Sequence, residues 1–224
     1  MSAGAIAGGA TRVEDLPATV PVFPLEGVLL LPRGGLPLNI FEPRYLNMVD
    51  DAMAGDRVIG MISTRPGGDR ERPTLAPIGC LGRITSFSET ADGRYLIALT
   101  GVCRFAVNDE LSVSTPYRQV RPDYGLFAGD LEAAPSDLPF GRDRLLNALR
   151  RYLERRGLDV EWAAARAAPA EALINSLSMA LPFAPAEKEA LLTAADLSER
   201  ETALVALLEI EAASNDDDEP TAMQ

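Results

Sequence analysis

Acid–base, nucleophilic and metal chemistry in proteins draws on a few side-chain types, and this chain is poor in them. Histidine is absent, which removes histidine triads, histidine general bases and histidine metal ligands. The single lysine, Lys188, lies in PAEKEALL on a predicted helix. No glycine-rich phosphate loop precedes it, and no serine-bearing motif adjoins it, so neither a Walker motif nor a serine–lysine dyad can be written. Cys80 and Cys103 lack Cys-x-x-Cys spacing and sit in apolar runs; they read as reduced core thiols, not as a disulfide or a metal pair. Three carboxylate groupings could serve as acid and base: Asp50 with Asp51, Glu187 with Glu189, and Asp216 to Asp218. No cleft residue supports them, and they read as a solvated helix face, a helix amino terminus and an acidic tail. The expectation is a chain with no catalytic residue, no metal and no cofactor.

Chemistry of this kind shifts attention to surfaces and to the elements that carry them. The 224 residues hold a formal net charge of -12, with 47% hydrophobic residues. Such an acid balance opposes nucleic-acid binding, because phosphate neutralisation needs a basic surface. No apolar run reaches the ~18 residues of a membrane span, and the opening MSAGAIAGGATRVEDLP has neither a basic start nor a sustained apolar core, so a cytoplasmic location without membrane partners is expected.

From Val20 to Tyr124 short apolar and aromatic runs alternate with glycine and proline, the pattern of a β-rich barrel or sandwich. The clearest hairpin spans residues 84 to 107, with Asp92 and Gly93 expected to supply positive φ in its turn. One helix interrupts the strands, entered at Pro43 and stopped at Gly55, and should cap one end of the sheet. After Gly125 the spacing turns helical, with Leu145, Leu146, Leu149, Tyr152 and Leu153 on one face and Gly157 as a stop. Further helices are predicted over 170–180, 186–194 and 198–213, the last opened by a capping box from Ser198 to Glu201. The organisation expected is a flexible amino terminus (1–17), a β-rich subdomain (18–127), a linker (128–139), a helical bundle (140–213) and a disordered acidic tail (214–224).

Residues 20 to 49, VPVFPLEGVLLLPRGGLPLNIFEPRYLNMV, carry a specific pattern: a strand leading into an LPL-x-IFE-x-RY turn and helix. That pattern resembles the amino-terminal substrate-recognition domain of Lon proteases. IGCLGRITSFSETADGRYLIALTGVCRFAV is similar to the family's central hairpin, and EKEALLTAADLSERETALVALLEIE to its final helical pair. Cys80 departs from the threonine common in the family, and the last helix lacks the coiled-coil continuation toward an ATPase. The resemblance implies an α+β fold, a PUA-like β pseudobarrel with a capping helix followed by a helical bundle. It also implies a non-catalytic, stand-alone protein-binding module for unfolded or peptide-like segments, acting as adaptor or regulator in proteolysis without ATPase or peptidase parts. RNA binding through the PUA-like barrel and a carboxylate-based small-molecule enzyme are the competing expectations.

The candidate binding residues follow from this. Glu42 and Arg44 bracket the strand-to-helix turn, where they either rim a site or satisfy free backbone groups, with Tyr45 packed beneath. Residues 63 to 79, STRPGGDRERPTLAPIG, read as a long loop carrying Arg65, Arg70 and Arg72, the first candidate for partner contact. Phe127, with Leu138 and Phe140, could line an apolar cleft between the subdomains. Arg104 could face either the turn or a partner carboxylate.

Overall fold

The computed structural model describes residues 12–69, 72–132 and 141–213. The described residues include six strands: β1 (Val20–Pro24), β2 (Gly35–Ile40), β3 (Val58–Asp69), β4 (Arg72–Glu89), β5 (Tyr95–Glu110) and β6 (Arg118–Asp123). Their order is β2-β5-β4-β3-β1-β6, and β6 also pairs with β5. Strands β1, β3, β4, β5 and β6 therefore close into a ring, while β2 lies on β5 outside it. Only β1 and β3 run parallel. Phe105, Val22, Leu81, Cys103 and Val120 fill the ring. This is the expected pseudobarrel, and α1 (Pro43–Ala54) packs against β1 and β3 as the expected cap.

Helices follow the barrel: α2 (Arg142–Arg156), α3 (Trp162–Ala167), α4 (Ala170–Ala180), α5 (Pro185–Thr193) and α6 (Leu197–Ala213). One buried apolar cluster joins Leu29, Leu30, Leu31, Met48 and Leu99 of the β-rich part to Leu149, Ile174, Leu191 and Leu204 of the helices. Barrel and bundle thus share a core. α3, only six residues long, is too short for periodicity to reveal.

Local chemistry corrects several expectations. At the β4–β5 turn only Gly93 has positive φ, at 78°; Asp92 instead accepts a hydrogen bond from the Thr90 hydroxyl and pairs with Arg94. Thr90 N–H bonds Arg94 C=O at 2.9 Å, making a three-residue loop closed by a left-handed glycine, not a two-residue turn. Residues 63–69 and 72–79 are not a loop but continue β3 and β4 as a paired arm: Arg65 faces Thr74, Gly68 faces Pro73 and Asp69 faces Arg72, with a bulge at Pro66 and Gly67. Proline and glycine made it look irregular; each half supplies the partner the other needs. Residues 125–131 form a 3-10 turn where a linker was expected to begin, and 133–140, with Leu138 and Phe140, lie outside the described residues.

α6 begins one residue before Ser198. Asp196 accepts from Glu199 N–H at 2.8 Å, and Glu199 reaches back to Ala195 N–H. Asp196, not Ser198, is therefore the cap, and Glu201 accepts from Gly141 N–H at the start of α2. Asp196→Ala is expected to lower stability by about 1 kcal/mol, whereas Ser198→Ala should stay within about 0.5 kcal/mol of the parent in urea melts. The reverse order would restore the cap to Ser198.

Candidate functional site

Four segments converge beside the barrel. The end of β1 and its following turn bring Pro24 and Glu26, α1 brings Arg44 and Tyr45, the β3–β4 arm brings Thr64 and Pro73, and the entry to β6 brings Pro116, Tyr117 and Arg118. Together they line an open cleft of about 590 Å³, in the range that encloses small ligands or a few residues of a peptide. Proline and tyrosine dominate its walls. These groups are rigid, so burying them against a ligand costs little conformational entropy.

Tyr45 is buried against Phe23, ring centroids 4.2 Å apart, and carries the Arg44 guanidinium 4.6 Å above its own ring. Arg44 also bonds Glu42 at 2.9 Å, so this pair closes on itself at the helix entry. Tyr117 donates to Asp51 at 2.6 Å; burial and that bond push its phenol up to about 12. Asp50 accepts from Tyr95 at 2.9 Å. The two aspartates expected on a solvated helix face therefore pin α1 to β5 and to the entry of β6. Arg118 grips both carboxylate oxygens of Glu110 and donates to Pro73 C=O at 2.7 Å, while Arg72 shares Glu110 at 2.6 Å. The two arginines, Arg118 foremost, hold the Glu110 carboxyl below the usual carboxylate range. Each arginine of the cleft is thus engaged by a carboxylate from the same fold.

A second, smaller cleft of about 370 Å³ opens where barrel meets bundle, lined by Arg33, Arg104, Phe127, Asp130, Glu171 and Arg200 among others. Arg104 is 3% exposed and makes a two-pronged ion pair with Asp130, 2.8 and 2.9 Å, while donating to Leu192 and Ala194 C=O at the end of α5. Phe127 lies 4.4 Å below the Arg104 guanidinium. Arg200 donates to Leu191 C=O and Asn175, and Asn175 donates to Pro32 C=O. This network is a tie between barrel and helices. Cys80 and Cys103 are buried free thiols, and burial pushes both upward, away from reactive thiolate.

The expected site residues separate by position. Glu42, Arg44 and Arg72 border the first cleft or its arginine cluster. Arg65 leaves it, paired with Glu189 on α5, and Phe127 belongs to the second cleft. Arg70 lies outside the described residues. Pro116, Tyr117 and Arg118 went unrecognised in the sequence, where PYRQVRP registers as a strand; nothing local says that its first residues turn toward α1. No cluster of three or more metal-ligating side chains occurs among the described residues, and no described helix is long and apolar enough to cross a membrane.

A closed PUA-like β ring with a capping helix and a following helical bundle defines the fold class of this chain. Its family follows from comparison with known proteins: the chain belongs to the ATP-dependent protease La (LON) substrate-binding domain family, whose model matches residues 19–209. The Lon protease of Parabacteroides distasonis is 27% identical over 212 residues, covering 88% of this chain and 24% of that protein. Lon protease 2 of Myxococcus xanthus is 30% identical over 118 residues, covering 51% and 14%. The chain thus spans a quarter or less of the length of these relatives. A Lon N-terminal domain protein from Xanthomonas campestris has the same fold with a TM-score of 0.58 and 25% identity, covering 84% of this chain and 97% of that one. The N-terminal domain of Mycobacterium avium complex Lon protease gives a TM-score of 0.59 at 20% identity, covering 88% and 98%.

Proposed function

We propose that this chain is a non-catalytic module that binds unfolded or peptide-like protein segments, serving substrate choice in proteolysis as adaptor or regulator. The observation that carries this is the open cleft walled by Pro24, Tyr45, Pro73, Pro116 and Tyr117, in a chain whose family is a substrate-binding domain. Rigid proline and tyrosine walls with polar groups between them accept many side chains weakly. Affinity comes from buried area less the cost of ordering the guest, which places Kd at about micromolar or weaker.

The ion pairs separate two versions of this binding. Arg65 and Arg72 are already held by Glu189 and Glu110, so contact is carried by the proline and tyrosine side chains of the cleft and persists as salt screens charge. Titration of labelled unfolded casein is expected to give similar affinity at low and high salt. Arg65→Ala and Arg72→Ala should change it by less than about threefold, the scale of an exposed pair. Thr64→Trp, which puts an indole into the cleft, should weaken it about tenfold or more with the melting temperature retained. No binding of unfolded casein by the parent chain at high micromolar concentration would refute the function; salt-sensitive binding lost with the arginines would move the site to the arm.

A further inference from the structure

β2 stands outside the ring and has an open side along its whole length. β2 ends the strand order and is bonded to β5 alone. Gly101 N–H donates to Gly34 C=O at 2.9 Å, and antiparallel pairing continues from Gly35↔Thr100 to Ile40↔Tyr95. Bonded pairs recur at every second residue, so Leu36, Leu38 and Ile40 exchange bonds with β5. Gly35, Pro37 and Asn39 turn their backbone groups the other way. All three are exposed, and no other described residue bonds them there. The outward row holds the N–H and C=O of Gly35, the C=O of Pro37, and the N–H and C=O of Asn39. Pro37 fits because its nitrogen faces away from β5.

Free edges are commonly guarded by charge, bulges or a covering segment. GLPLNI has no charged residue, and its one guard is Pro37. Leu36 and Leu38 are half-buried at the margin of the shared core, and Phe41, just beyond the strand, is 61% exposed. Water satisfies these exposed peptide groups in the free protein, and an extended backbone is the protein partner whose spacing matches the whole row. The half-buried leucines ask that this backbone present apolar side chains at alternate positions on their face, and the lack of charge beside them asks that it be uncharged.

We propose that the outer edge of β2 takes an extended, uncharged segment of a client protein as an additional strand, bonded at Gly35, Pro37 and Asn39. This rests on the peptide-binding function above and adds to it a backbone-directed element, separate from the cleft. Recognition of backbone tolerates many sequences, with alternation as the selective feature.

The probe is a fluorescein-labelled heptapeptide alternating valine and threonine, titrated by anisotropy beside the same peptide N-methylated at every residue. N-methylation removes the peptide's donors without altering the protein. It is expected to weaken binding about tenfold or more, as loss of several backbone bonds requires. Asn39→Pro and Gly35→Pro each remove one outward donor without touching a bond to β5; both should weaken the unmethylated peptide while circular dichroism stays unchanged. Equal binding of the two peptides, or edge variants that bind like the parent, would overturn the inference. So would a concentration-dependent dimer of the parent that Asn39→Pro abolishes, since a second copy would then be the occupant. If casein binds the parent while the heptapeptide does not, the edge fails and the function stands; if casein does not bind, the function itself fails.

Discussion

Arg104→Ala is expected to lose about 3–5 kcal/mol of stability, the range for removing one partner of a buried ion pair. Its guanidinium and backbone N–H together bind Asp130 three times, and the guanidinium also reaches the Leu192 and Ala194 carbonyls. Truncation leaves a carboxylate 10% exposed without its cation, together with two helix-end carbonyls stripped of their donor. Arg104→Lys should recover little, because an ammonium cannot reproduce the planar fork that reaches both the carboxylate and the carbonyls. Asp130→Leu combined with Arg104→Met should be more stable than Arg104→Ala, because no charge is then stranded. Urea melts measure all three variants. A loss below about 1 kcal/mol for Arg104→Ala would show that the network is not what ties barrel to bundle.

A second large effect is expected at Gly101, where β5 passes from β2 toward β6. A Cβ built there meets Leu31 C=O at 2.0 Å and its carbon at 2.7 Å, both backbone atoms that no rotamer can move. The same glycine donates to Gly34 and accepts from Arg33 at 2.8 Å, so the chain cannot step aside without breaking these bonds. Gly101→Ala should therefore cost at least about 3 kcal/mol, at the upper end of overpacking effects. Gly129, whose Cβ direction is open, provides the control: Gly129→Ala should fall within about 0.5 kcal/mol of the parent. A comparable small loss at Gly101 would place the Leu31 segment farther from β5 than described.

Composition and spacing made much of this protein legible. Absence of histidine and isolation of Lys188 pointed away from the common catalytic arrangements before any fold was considered. Pro43 at the entry of α1, Gly157 at φ 62° after α2, and the apolar stripe of α2 are local signals, and the helices stand where those signals put them. The family pattern over residues 20 to 49 lies along β1, β2 and α1, where turn chemistry and strand alternation are written residue by residue.

Other features depend on partners far away in the chain. The arm of β3 and β4 looked like a loop because its glycines and prolines have poor strand propensity; pairing with each other decided the outcome. Arg104 could not be assigned from its neighbours, since Asp130 and the end of α5 lie 26 and 88 residues further on. Tyr117 and Arg118 became cleft walls because β6 closes the ring between β1 and β5, and Arg65 was drawn to α5 by Glu189. The sequence by itself determined every helix but α3, the main hairpin, the family pattern and the poverty of catalytic groups, which are read from residue types and from spacings between residues near one another. Ring closure, the shared core and the two clefts were decided by the tertiary structure, because a side chain's partner across the fold depends on how the strands close, which no local spacing records.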